Sequence, residues 1–269
     1  MTQIGGSEPP LPPTPTVVFF VYGLAAVAIL VASVLAVAIL HAAEPDLAPD
    51  EILRGLRGLI ATALASSAAL LGTCWLATRR LTLAQLRLVP ARERGRDLAV
   101  AIVGVLALGQ ALDSLTIIAG VAERGTMQAI RQALSGVSGP DLFAAVLVIG
   151  PIAGTAEEVF FRGYMQSMLR ARWPAAVAIV VTSVGFALLH FDWVHGVLAF
   201  ALGLYLGLCT EVTGSALPAV AGHVVNNSLF TLLTALVGSL PGVQTNVVLL
   251  LVTGVIFIGC VAWLARLPK

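Results

Sequence analysis

Residues 17–40 read VVFFVYGLAAVAILVASVLAVAIL, with no charged side chain between Val17 and Leu40. At a helical rise of about 1.5 Å per residue, a run of this length crosses a hydrocarbon core of about 30 Å. A secretory signal carries a shorter apolar region, about 7–15 residues, behind a basic segment. Here residues 1–16 are Pro-rich and contain no Lys or Arg. The run therefore predicts a retained membrane span preceded by a disordered tail over 1–16.

Seven more apolar stretches follow, at roughly 55–77, 98–120, 141–168, 174–192, 195–211, 215–237 and 245–265 by the same length criterion. The stretches at 174–192 and 195–211 are short, so tilt or cover by neighbouring helices is expected there. Hydrophobic residues make up 58% of the chain and charged residues 11%. A soluble domain is about one-quarter charged, so this composition excludes one. The net charge of +1 argues against a nucleic-acid partner, which calls for a basic stripe. The expected fold is all-α: a polytopic membrane helical bundle of about eight transmembrane helices, with 17–269 as a single transmembrane domain.

Charge in the connections gives a direction. Arg79, Arg80, Arg87, Arg92, Arg94 and Arg96 lie between the second and third stretches. Glu44, Asp46, Asp50 and Glu51 lie between the first and second, with Arg54 at the end. Lys and Arg collect on the cytoplasmic side. The arginine-rich segment is then inside, as are Arg170, Arg172, Arg266 and Lys269, and both termini are cytoplasmic. Segment 79–97 either is a plain loop or forms an amphipathic surface helix on that same side. Segment 121–140 reads as an outside loop with one interfacial helical turn. Cys74, Cys209 and Cys260 sit in or beside apolar runs without a CxxC pair, and read as small packing residues.

An ionisable group near the middle of a membrane helix costs about 2.5–3.5 kcal/mol, and function is the default explanation for one. Glu157, Glu158 and Arg162 fall in one such stretch. Glu158 and Arg162 are four apart, share a helical face and can pair. Glu157 points about 100° away and is free to face a cavity as a general base. The competing reading is that all three hold helices together. His190 ends the fifth stretch; His223 and Asn227, again four apart, share a face of the seventh. Histidine can accept a proton, orient water, bind a metal or donate to an oxyanion; Asn can donate or coordinate. A lone intramembrane histidine is as readily a packing residue. Glu157 and His190 lie at similar distances, roughly 22–24 Å along unbroken helices, from the turn at Arg172–Pro174. The two side chains can therefore meet across a helical hairpin.

These residues resemble three motifs of the CPBP family, the CAAX-protease and bacteriocin-processing (Abi) membrane proteases. Glu157-Glu158-Val-Phe-Phe-Arg162 looks like its EExxxR motif, Phe186 to His190 its FxxxH motif, and His223 to Asn227 its HxxxN motif. The likeness covers 151–230, within a catalytic core expected at about 141–237; the first spans carry no signature. The resemblance implies an intramembrane endopeptidase. Glu157 would activate the attacking water with help from His190. Glu158 and Arg162 would position the site, and His223 and Asn227 would stabilise the oxyanion. Family members are described both as metalloproteases and as metal-independent glutamate proteases. Glu157, His190 and His223 are the candidate ligands for a divalent metal such as Zn²⁺, and a metal-free glutamate mechanism is equally compatible. The usual HExxH zinc motif is absent. The implied partners are membrane lipid and a peptide or protein substrate, either prenylated or a leader peptide. The compact loops and the Ala-, Leu- and Arg-rich composition point to a bacterial inner membrane.

Other readings compete. Gly136-Val137-Ser138-Gly139 matches a GxSG serine motif, but lies in a polar loop and leaves the glutamates unexplained. Presenilin-like chemistry needs two intramembrane aspartates, and only Asp113 qualifies. A proton-coupled transporter has a use for Glu157, Glu158, His190 and Asp113, yet no inverted repeat is visible. A non-catalytic immunity or scaffold protein on a protease fold is the remaining alternative. Asp192 and His195 read as helix-capping residues at an interface, with substrate access as the alternative. Gly203 and Gly207 form a close-packing GxxxG pair.

Overall fold

A computed structural model describes residues 11–92, 94–238 and 242–267. The described residues form helices and connections. Helix α1 is Pro15–Ala43, α2 Pro49–Arg54, α3 Leu56–Thr78, α4 Gly95–Ile118 and α5 Gly125–Leu134. A continuous helical stretch, α6, runs Gly139–Arg170. It is followed by α7 Ala175–Leu188, α8 Trp193–Thr213, α9 Leu217–Leu236 and α10 Val243–Leu264. Seven of these, α1, α3, α4, α6, α8, α9 and α10, are long and apolar enough to cross a membrane. The chain is a polytopic helical bundle.

Local chemistry sets the ends. Thr14 caps α1, its hydroxyl accepting from the Val17 amide at 3.5 Å, and Pro15 opens the helix where no N–H is needed. The α1 helix thus begins inside the expected tail of 1–16, whose first ten residues lie outside the described set, as does Lys269. Asp192 caps α8 by accepting from the His195 amide at 2.8 Å, as read from the sequence. Gly214 ends α8 with φ of 78°, a left-handed conformation that costs glycine nothing.

Three expectations need correction. The fifth predicted stretch, 174–192, is helical only over Ala175–Leu188, 14 residues. That spans about 21 Å, less than the hydrocarbon core, so α7 does not cross on its own. The chain turns back through Phe191, which takes φ of 51°, a conformation rare for a bulky residue. Second, the sixth stretch is 21 residues long and ample for a span. Third, 121–140 holds a 10-residue helix, α5, rather than one turn. Segment 79–94 is a loop of turns among its described residues.

Two apolar cores organise the bundle. One joins α1, α3, α6 and α7 through Val18, Leu70, Phe160, Phe161, Tyr164 and Phe186. The other joins α4, α8, α9 and α10 through Val105, Tyr205, Leu206 and Leu264. Between them, α6 meets α8 along a polar ladder. The Arg162 guanidinium donates to the Gly203 carbonyl at 3.0 Å, the Gln166 amide to the Gly207 carbonyl at 3.0 Å, and Arg170 to the Glu211 carboxylate at 2.8 Å. Glycine suits the close approach at the first two rungs. A Cβ on Gly203 would stand 3.2 Å from Arg162 Nη2, and one on Gly207 3.0 Å from Gln166 Oε1. The close-packing role read from the sequence holds. Forcing a side chain into such a seam costs about 1–3 kcal/mol. Gly207→Leu is therefore expected to lower the thermal midpoint in detergent, and Gly72→Leu, which meets open space, to leave it unchanged.

Candidate active site

The middle of α6 departs from regular geometry on both sides of the glutamate pair. Val148–Ala153 and Val159–Gln166 are wide, i to i+5 turns flanking the α-helical Gly154–Glu158. Pro151 explains the first: it has no N–H and its ring crowds the preceding turn. In the second, the Ser167 hydroxyl donates to the Arg162 carbonyl five residues back at 2.9 Å. Such wide turns occur often at functional sites.

Glu158 and Arg162 are fully buried and paired, with Arg162 Nη1 donating to Glu158 Oε1 at 2.7 Å. The guanidinium also lies 4.9 Å from the Phe186 ring centroid. Phe186 is a hub. Its ring meets Phe161 at 5.1 Å, His190 at 4.9 Å and His223 at 5.9 Å. That places the aromatic member of the Phe186–His190 pair against the arginine and both motif histidines.

His223 is buried, and its two ring nitrogens face two carboxylates. Nδ1 stands 2.7 Å from Glu158 Oε1, and Nε2 3.6 Å from Glu157 Oε2. A carboxylate held against arginine accepts only, so Nδ1 donates. His190 uses Nδ1 to bond the Phe186 carbonyl at 2.9 Å. That carbonyl lies in the last turn of α7, where partners within the helix run out, so the ring satisfies a group that lipid would leave bare. Its Nε2 remains open. Asn227 donates from its amide to the Ile149 carbonyl at 3.3 Å and accepts from Asn226 at 3.3 Å.

Glu157, His190, His223 and Asn227 line one cavity of about 480 Å³. Glu158 and Arg162 stand behind the wall, with Glu157 a quarter exposed in front of them. The structure thus brings all six residues named from the sequence to one place. The sequence did not assign His195 to it. Its ring packs 4.1 Å from that of His190, it lines the same cavity, and its Nδ1 is buried without a partner. The five-residue step from His190 gave no helical signal, because the chain reverses between them. Asp113 also lines the cavity, in an ion pair with Arg131 of α5. Ser138 is exposed at the start of α6, away from the cavity lining.

As to a metal, the donor types are present. His190 and His223 each have one nitrogen committed and one available, and Glu157 offers a carboxylate. Among the described residues, however, no three His, Cys, Asp or Glu side chains converge as a metal-binding set. Glu157, His190 and His223 as placed do not form a three-ligand ion site. Cys74, Cys209 and Cys260 are buried free thiols that pack.

The buried pair makes a stability prediction. Removing one member of a buried ion pair costs about 3–5 kcal/mol, because the other charge is left uncompensated, whereas an apolar pair of similar volume is often tolerated. Arg162→Met is expected to yield little folded protein by size-exclusion chromatography. Arg162→Met with Glu158→Leu is expected to recover folded material.

The geometry agrees with a comparison of sequences. Residues 139–229, about a third of the chain, match the family model described as Rce1-like, type II CAAX prenyl endopeptidase Rce1-like. No curated protein matches the chain. This segment, which contains the glutamate pair, both motif histidines and Asn227, is thus similar to the Rce1-like domain of the CPBP family.

Proposed function

We propose that the protein is an intramembrane endopeptidase in which Glu157 is the general base for attack of water on a peptide bond. The observation that carries this reading is the division of labour between two adjacent glutamates. Glu158 is neutralised by Arg162, bonded to His223 and fully buried behind the cavity wall, so it is not presented to a substrate. Glu157 has neither partner at hydrogen-bond distance and faces an open cavity.

The proton balance is simple. Glu157 removes a proton from water as the oxygen adds to the scissile carbonyl carbon. The resulting carboxylic acid returns that proton to the amine as the C–N bond breaks. His190, anchored through Nδ1, presents Nε2 to hold the water. A positioned donor at the developing oxyanion supplies further stabilisation. His223, held between two carboxylates, and the second amide N–H of Asn227 are the donors nearest to hand. Arg162 and Glu158 act at one remove, fixing the His223 ring.

A cavity with an apolar lining suits a membrane-associated peptide, for instance one that is prenylated or a leader segment. With the protein reconstituted in liposomes and quenched fluorogenic peptides as substrates, Glu157→Gln is expected to lower turnover by about 10²–10⁴-fold, the usual share of a general base. Its thermal midpoint should stay at the wild-type value, since Glu157 is outside the buried pair. Wild-type turnover in Glu157→Gln would sink the proposal and favour a scaffold role.

Metal analysis by mass spectrometry is expected to find no stoichiometric ion in active protein. A bound ion lost in Glu157→Ala, His190→Ala and His223→Ala would instead make these residues its ligands, with activity then lost to a chelator.

A further inference from the structure

The charge of the loops and the position of the cavity can be combined. Most of the cavity lining lies toward one end of the bundle, with His223 at its depth. Leu59 and Ser66 come from the first half of α3, Asp113 from the last third of α4, Glu157 from the middle of α6 and Leu233 from the last turns of α9. The α5 helix, packed against α2, α3, α8 and α9, adds Met127 and Ile130 to the same mouth. Toward the other end the site is sealed. Arg162, Gln166, Tyr164 and Met165 are all at most 1% exposed, and form a floor beneath the glutamates. Below that floor the loop after α3 closes the bundle. Arg87 pairs with Glu211 at 2.9 Å, its carbonyl accepts from the Ala216 amide, and the Arg92 amide donates to the Thr213 carbonyl.

The two ends differ sharply in charge. The sealed end carries the six arginines of 79–96 together with Arg170, Arg172 and Arg266. The open end carries Arg54, Arg57, Arg124 and Arg131, and of these Arg57 is paired with Glu44 and Arg131 with Asp113. Lys and Arg close to span ends set orientation, and the richer side stays in the cytoplasm. Interfacial aromatics support the same plane: the Arg79 guanidinium lies 4.5 Å from the Trp75 ring centroid and that of Arg96 5.7 Å from Trp263.

We infer that the cavity opens on the non-cytoplasmic face of the membrane. The peptide bond it acts on is then presented from that side, in a segment that is exported or inserted before it is cut. The second statement rests on the peptidase reading; the first does not.

Cysteine accessibility tests the first directly. The three native cysteines are buried, so the wild type supplies the blank. Met127→Cys and Val237→Cys place reporters in the cavity wall, and Ala84→Cys places one on the arginine-rich loop. Each full-length variant is treated with a charged, membrane-impermeant thiosulfonate in right-side-out and in inverted vesicles, with a detergent sample to show that the thiol reacts. The cavity reporters are expected to label in right-side-out vesicles and to lose that labelling in inverted ones, with Ala84→Cys the reverse. Cavity labelling only in inverted vesicles would overturn the inference. Labelling in detergent alone would overturn it as well, because the cavity would then meet no water on either side. No substrate is needed, so this result stands apart from the fate of the peptidase proposal.

Discussion

The buried contact of Arg162 with Glu158 and the Gly203 carbonyl is the constraint on which the other site features depend. A guanidinium with no solvent exposure needs both a counter-charge and acceptors, and it obtains them from its own helix and from α8. That requirement brings α6 and α8 within reach of a main-chain carbonyl, where a Cβ at Gly203 would crowd Ser183 at 3.1 Å and Arg162 at 3.2 Å. It also consumes the charge of Glu158. With Glu158 held, His223 is fixed through Nδ1, and its other nitrogen is turned to Glu157. One ion pair therefore sets a helix spacing, a histidine orientation and the identity of the uncommitted carboxylate.

A second constraint is the shortness of α7. A helix that ends within the bilayer exposes carbonyls that lipid cannot satisfy. His190 bonds one of them, Asp192 caps the next helix and also accepts from the Thr126 amide of α5 at 3.2 Å. The residues on either side of the interruption, His190 and His195, both line the cavity. A full-length α7 would carry its side chains on past the level of Glu157, with no turn to set His190 and His195 ring against ring. Broken backbone at membrane depth is tolerated where it is buried or lines a water-filled space, and here it lines the site.

Much of the site was legible in the chain because its rules are local. Glu158 and Arg162 at i and i+4 had to share a face, and they do pair. Glu157, one residue earlier, had to point elsewhere, and it does line the cavity. Phe186 and His190 obey the same spacing, with rings 4.9 Å apart. Illegible were the features that depend on a reversal or a distant partner. His195 joins His190 only because Phe191 takes a left-handed backbone. Asp113 meets Arg131 only because α5 folds back over the mouth. The bonding of Asn227 to Ile149 follows from the approach of α9 to α6, across a gap of 78 residues.

Hydropathy and length decided by themselves that the chain is a helical membrane bundle, because lipid leaves the backbone few other ways to satisfy its polar groups. Charge counting fixed which loops share a side, and local spacing fixed which polar residues share a face. The tertiary structure alone decided that the fifth apolar stretch stops short, that Glu158 rather than Glu157 is the buried partner of His223, and that the cavity opens at the arginine-poor end. The reason is physical. Periodicity constrains directions within one helix, whereas the depth and mouth of a cavity depend on how close several helices approach, and that is set by side chains far apart in sequence.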